Sequence, residues 1–303
     1  MKRINGRALA SEWRDSTTKA SRLGQCRSLL VGIIILLAAL FTFFSYSPGA
    51  LAASQSGVIS LQVNADRFIP GNLLEITYHT SPGTLSGKVD IYFSLLQPTG
   101  QLLFLQSDGT LSAVQAPFRS NATVVEETKP LFSLFPVYIP FGKYTASIVM
   151  LQAGGSLFDP NAYASSIATA TFSFTALTAA QEALIAQRGK PEFLTTTWAA
   201  DLHEKRDSWL YVSSNPTLYL FVNGVLQSQT APSGSKPSGT APSLDPSLLT
   251  PQTTLAQLTD AFGTPSSVET DEEDPEYQRV NFTLGLEVVL LQGYLSAART
   301  FAP

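Results

Sequence analysis

The chain has 303 residues, of which 14% are charged and 44% hydrophobic, and a formal net charge of -4. That total hides an asymmetry: residues 1–52 hold 7 of the 19 Lys+Arg but 2 of the 23 Asp+Glu, leaving the rest 12 basic against 21 acidic. A body of net charge -9 repels a phosphate backbone, which excludes nucleic-acid binding as a function class.

The basic N-terminus has another explanation. Arg14, Lys19, Arg22 and Arg27 precede the uncharged run Leu29 to Phe44, "LLVGIIILLAALFTFF". Pro48-Gly49 follows, and then Ala50 and Ala52 form an A-x-A pattern before Ala53. Charged region, apolar region, helix breaker and small residues make residues 1–52 an export signal cut between Ala52 and Ala53, or an uncleaved N-terminal anchor. Either way the body is expected outside the cytoplasm, periplasmic or extracellular, with residues 29–44 its one connection to a membrane. The single Cys, Cys26, precedes the apolar run, where it cannot serve as a lipid acceptor. The exported body therefore has neither disulfides nor cysteine metal sites.

From residue 56 to 176 the sequence predicts β-structure. "VISLQVNADRF", "LLEITYHT", "VDIYFSLLQPTG", "LLFLQSDGT", "YTASIVMLQAGG" and "ATATFSFT" are short β-rich runs separated by turn residues such as Pro70-Gly71, Asp108-Gly109 and Gly154-Gly155. Strands at this spacing without helical pattern between them predict an antiparallel sandwich.

After Thr175 the period changes. "LTAAQEALIAQRGKP" predicts a helix with Thr178 as N-cap, Glu182 in its opening turns and Gly189 as its stop. "RDSWLYVSSNPTLYLFVNGVLQSQ" then predicts three strands, with Asn223-Gly224 a two-residue hairpin turn. Residues 231–250 form a Pro/Ser/Gly-rich stretch expected to be a flexible linker. From 251 to 303 the unit recurs: "TTLAQLTDAFGTP" is a second helix ending in Gly-x-Pro, and "YQRVNFT", "LEVVLLQG" and "YLSAART" are three strands with Gln292-Gly293 at the turn. Residues 177–230 and 251–303 thus read as an internal duplication. The expected fold class is multi-domain: an all-β immunoglobulin-like sandwich followed by two α+β helix-plus-meander repeats that form one antiparallel sheet.

Period-two alternation puts Trp209, Tyr211, Tyr219 and Phe221 on one face of the first meander and Leu210, Val212, Leu218, Leu220 and Val222 on the other. With the aliphatic set under the helix, the four aromatics become the candidate partner-binding residues. The competing account is that the aromatics pack on the second repeat or on the sandwich. "LEVVLL" is apolar on both faces apart from Glu287, which suggests a central strand buried on both sides.

No catalytic set is legible. His79 lies in a predicted strand, and His203, in "ADLHEKRD", reads as a solvated loop histidine. Nucleophile elbows, H-E-x-x-H and phosphate loops are missing. The acidic "ETDEEDPE", Glu269 to Glu276, lacks the spacing of a calcium loop and reads as a solvated loop. Neither a metal nor a cofactor is expected, and the chain is not expected to be an enzyme.

Two resemblances add to this. "VDIYFSLLQPTG" and "PFGKYTASIV" resemble strands of exported bacterial immunoglobulin-like domains, which implies a fold and no chemistry. "LIAQRGKP", "SWLYV" and "LFVNGVL" resemble the SmpA/OmlA (BamE) outer-membrane assembly lipoproteins, and two such units in tandem resemble the β-lactamase inhibitory protein family. These resemblances imply a non-enzymatic interaction or scaffold module binding an envelope protein, or alternatively a secreted hydrolase inhibitor; an envelope hydrolase comes third. The chain departs from the lipoproteins in lacking the lipid-acceptor Cys, and from both families in the sandwich before the units and the linker between them.

Overall fold

Eighteen strands and two α-helices build the body of the protein in a computed structural model that describes residues 56–213, 215–232 and 244–301. Residues 1–52, where the sequence suggests an export signal or anchor, lie with Ala53 outside the described residues. Among the described residues no helix is long and apolar enough to cross a membrane.

The first ten strands form two facing sheets. β1 (Val58–Val63), β3 (Leu74–Ser81) and β8 (Glu127–Leu134) pair in the order β1-β3-β8. β2 (Arg67–Phe68), β4 (Val89–Leu96), β5 (Leu102–Leu105), β6 (Leu111–Ser112), β9 (Gly142–Gln152) and β10 (Ala168–Phe174) pair in the order β2-β10-β9-β4-β5-β6, and β7 (Arg119–Ala122) joins β4. Placing the first, second and fifth long strands opposite the third, fourth, sixth and seventh is the layout of an immunoglobulin-like sandwich. Alternation drives it: β3 reads buried at Leu74, Ile76, Tyr78 and Thr80 and half-buried between them. Phe93 of one sheet meets Phe132 of the other edge-on at 5.3 Å, inside a core that includes Ile59, Ile91, Tyr144 and Phe172.

β8 escapes the sequence reading because Pro130 interrupts its pattern and most of its side chains are exposed. The proline is accommodated at an edge strand, where the register slips between Ile76 and Thr77.

Beyond the sandwich, α1 (Ala179–Arg188) precedes β11 (Phe193–Ala199), β12 (Glu204–Tyr211), β13 (Thr217–Val222) and β14 (Val225–Thr230). The order recurs in α2 (Leu255–Phe262), β15 (Ser267–Thr270), β16 (Tyr277–Phe282), β17 (Leu286–Leu291) and β18 (Tyr294–Thr300). Each segment thus holds four strands where the sequence suggests three. β11, rich in threonine, and the four-residue β15 carry too little apolar alternation to announce themselves.

The two segments share one antiparallel sheet, β14-β13-β12-β11-β18-β17-β16-β15, joined where Thr195, Thr196 and Thr197 face Arg299, Ala298 and Ala297. Both Gly-x-Pro sites are helix stops of one geometry: Gly189 at φ 80° and Gly263 at φ 84°, with N–H groups donating to the carbonyls of Ile185 and Thr259. Asn223-Gly224 and Gln292-Gly293 turn with positive φ at both positions, as two-residue hairpins require.

The linker expectation needs correction at its end. Residues 233–243 lie outside the described residues, but residues 244–250 are ordered and Leu244 and Leu249 are core side chains. A 3-10 turn at Pro246–Leu248 is capped by the Asp245 carboxylate, which accepts the Ser247 N–H at 3.0 Å. Leucines embedded in a Ser/Pro-rich text found apolar space that composition alone cannot reveal.

Sandwich and sheet belong to one compact unit, Gln55–Pro303. Arg67 of β2 donates to the Leu177 carbonyl at 2.7 Å and pairs with Glu182 of α1. The Asn223 amide donates to the Gly71 carbonyl at 3.2 Å, and Tyr138 packs against Tyr294 at 4.8 Å.

Candidate functional site

Sheet register decides which face each side chain occupies. Trp209 pairs with Tyr219 and Leu194, and Asp207 with Phe221 and Thr196, so these share the face under the helices. Trp209 is 1% exposed, Tyr211 3%, Tyr219 7% and Phe221 3%. All four belong to the second core, with Leu258, Val280, Val288 and Leu290. The proposed aromatic binding face is therefore interior, and the assignment of the aliphatic set to the helix side is reversed. The physical reason is volume: two short helices lie over a wide sheet, and large rings fill the gap that Leu and Val cannot reach. Burial pushes the Tyr211 phenol up to about 12, and its hydroxyl donates to the Gly189 carbonyl at 2.9 Å. The Arg188 guanidinium stands 4.6 Å from the centre of the Tyr211 ring and donates to the Tyr219 hydroxyl at 3.1 Å.

The opposite face is the open one. Across the middle of the sheet Thr195, Thr197, Arg206, Leu220 and Arg299 are exposed, while Ser208, Leu210, Leu218, Val222, Ala297 and Val289 are half-buried. A shallow depression of about 360 Å³ on it is lined by Thr195, Thr197, Arg206, Ser208, Leu220, Val222 and Gln227. Glu287 accepts from Arg299 at 2.9 Å, and Glu204 pairs with Arg206. β17 obeys the same rule: Leu286, Val288 and Leu290 are buried, whereas Glu287 and Val289 are half-buried and Leu291 exposed. It is a strand with one open face, and the expectation of burial on both sides is corrected.

Below the sheet lies a cluster that sequence reasoning missed. Gln181 of α1 is 0% exposed, Lys205 1% and Asp207 3%. The Lys205 ammonium donates to Asp207 Oδ2 at 2.8 Å, the Gln181 amide nitrogen donates to the same oxygen at 3.1 Å, and the Thr196 hydroxyl donates to Oδ1. The available signal was alternation: Lys205 and Asp207 are in phase with Trp209 and Tyr211 in "KRDSWLY", and share their face.

The titratable residues considered for chemistry are not assembled. His79 meets the Thr128 hydroxyl at 3.2 Å on β3. His203 is half-buried, at φ 50°, and stacks on Phe135 at 4.3 Å, so it is a packing residue between sandwich and sheet and not a solvated one. Asp271 and Asp274 accept backbone N–H groups of their own loop, and Glu276 accepts from Gln292 at 2.7 Å. Among the described residues no three His, Cys, Asp or Glu side chains are grouped to hold a metal. A second groove, about 910 Å³, runs between β2, the start of α1 and the β13–β14 turn, lined by Arg67, Ile69, Ala180, Glu182, Val225 and Leu226.

By fold the chain is a β-rich protein with an immunoglobulin-like sandwich. No family model and no curated protein matches it. Among solved structures it is similar to the CARDB domain of a Pyrococcus furiosus protein, crystallised with di-metal ions, at 15% identity over 41% of this chain and 97% of that one, with a TM-score of 0.24. It is also similar to Spo0M, a sporulation control protein from Bacillus subtilis, at 9% identity over 56% of this chain and 82% of that one, with a TM-score of 0.22.

Proposed function

We propose that this is an exported, non-enzymatic protein-interaction module of the cell envelope, and that the open face of its eight-stranded sheet is the binding surface. The two α+β segments are a tandem duplication of the SmpA/OmlA (BamE) or inhibitory-protein kind, and the partner is an envelope protein. The observation that carries the reading is the one-sidedness of the sheet: helices and aromatics fill one face, while the other presents hydroxyls, aliphatics and paired charges to solvent. Such a mixture, with arginine at its centre, suits a protein partner better than a small molecule. Affinity capture from envelope extracts with wild type and with Thr197→Arg/Leu220→Arg tests it. The partner should be lost from the double variant while the melting temperature holds; equal recovery by both proteins removes the open face from consideration.

A second reading, a secreted hydrolase inhibitor, is favoured by one feature. The exposed carboxylates Asp271 to Asp274 and Glu276 rim the sheet beside β15, as an acidic loop aimed at a cleft would. Inhibition that survives Asp271→Asn/Asp274→Asn counts against that loop.

A further inference from the structure

We propose that Lys205 and Gln181 become joined by an intramolecular isopeptide bond, with Asp207 as the acid–base group. Four observations converge. The nucleophile, the electrophile and the proton carrier are all buried, and Lys205 is the one buried cation among the described residues. The Lys205 ammonium and the amide nitrogen of Gln181 donate to the same oxygen of Asp207, at 2.8 and 3.1 Å. The Gln181 carbonyl oxygen is held from outside, accepting the Thr178 N–H at 3.0 Å, while the Thr178 hydroxyl has its nearer acceptor in the Gly224 carbonyl at 3.0 Å. That backbone N–H is placed where charge develops when a nucleophile adds to the amide carbon.

The fourth observation is the comparison between the two halves. Gln257 of α2 makes the same capping box, accepting the Thr254 N–H at 2.9 Å, but it is exposed where Gln181 is buried, and no buried Lys or Asp stands beneath it. Capping alone therefore does not call for the ion pair. A buried lysine–aspartate pair is costly to desolvate and adds little over an apolar core. Lysine is a nucleophile only as the neutral amine, and the Asp207 carboxylate, 2.8 Å from Nζ, is placed to take its proton.

The step balances without an oxidant or co-reactant. Asp207 takes a proton from the Lys205 ammonium, and the Nζ lone pair attacks Cδ of Gln181, placing negative charge on Oε1 opposite Thr178. The tetrahedral centre collapses with cleavage of the Cδ–Nε2 bond. Asp207 gives its proton to the departing nitrogen and recovers one from Nζ. The products are a secondary amide, free ammonia and a protonated Asp207, and the cluster is electrically neutral before and after. The bond ties α1 to β12 in a body without cysteine, closing a loop as a disulfide does.

Mass spectrometry of the exported chain, denatured and with its N-terminus established by sequencing, decides the matter. The wild type should be lighter than its sequence by one ammonia, and trypsin should fail at Lys205 and release a branched peptide carrying Gln181 and Lys205. Lys205→Arg and Asp207→Asn, each checked for folding by circular dichroism, should have the full calculated mass. A folded wild type of full mass, cleaved normally at Lys205, overturns the proposal. A deficit that persists in Asp207→Asn overturns the role given to Asp207. The wild-type measurement stands even if neither variant folds.

Discussion

Trp209 and Lys205 lie on one face of the same strand, four residues apart, and both are buried to within 1% exposure. They depend on their surroundings in different ways. Trp209 packs at 5.0 Å from Phe221 in a core without slack, so Trp209→Ala should cost about 3–5 kcal/mol in urea unfolding. Lys205→Met removes the partner of buried Asp207 and with it the cross-link proposed above, so a loss of at least about 3–5 kcal/mol is expected by the same measurement. Lys205→Met combined with Asp207→Leu should recover the part due to the stranded charge, and not the part due to the lost cross-link or to the Gln181 and Thr196 donors left without an acceptor. Gly224 is a third kind of constraint: at φ 70°, a Cβ there would lie 2.3 Å from Thr178 Cγ2 and 2.7 Å from Ile69 Cδ1. Gly224→Ala should destabilise by more than about 1 kcal/mol and loosen the seam with the sandwich.

Among the elements, the β7–β8 corner carries the clearest electrostatic dependence. Lys129 and then Arg119 donate to Glu127 and hold its carboxyl below the usual range, and Arg119 also donates to the Tyr78 hydroxyl at 2.9 Å. A depressed folded pKa means the contribution is complete above the unfolded value, near about 4.3, and is lost as the pH falls through the lower folded one. Glu127→Gln should therefore lower the melting temperature at neutrality, and its difference from wild type should shrink as the pH falls below about 4, measured by thermal melts across pH. Elements of this kind differ in legibility. Both helices are announced by local chemistry, a threonine cap at one end and a glycine at the other, because caps and stops need only near neighbours. β8 and β11 are not, since their pairing is set by strands far along the chain and their own residues alternate weakly.

At the scale of the whole molecule, the eight-stranded sheet makes the two α+β segments interdependent. β11 pairs with β18 at its centre, and Trp209 shares a core with Leu258 and Val288. A chain ended after residue 243 would expose the edge of β11 and half of that core. It should fail to form the cooperative unfolding transition of the full chain and should aggregate. A well-folded monomer of that truncated chain, seen by circular dichroism and light scattering, would contradict this interdependence.

The sequence by itself determined what depends on short range: the turns, the helix caps, the two recurring Gly-x-Pro stops, and the division of each strand into two faces. It could not say which face of the β12–β13 pair would be covered. Period-two alternation yields two apolar sets, and only the space beneath α1 and α2 selects the larger side chains for the interior. The same holds for Gln181, Lys205 and Asp207, which are separated in the chain by up to 26 residues and meet only when the helix settles on the sheet. Tertiary packing thus moved the candidate surface from the aromatic face to the open one, and brought Gln181 onto Lys205 and Asp207, of which strand alternation announces only the shared face.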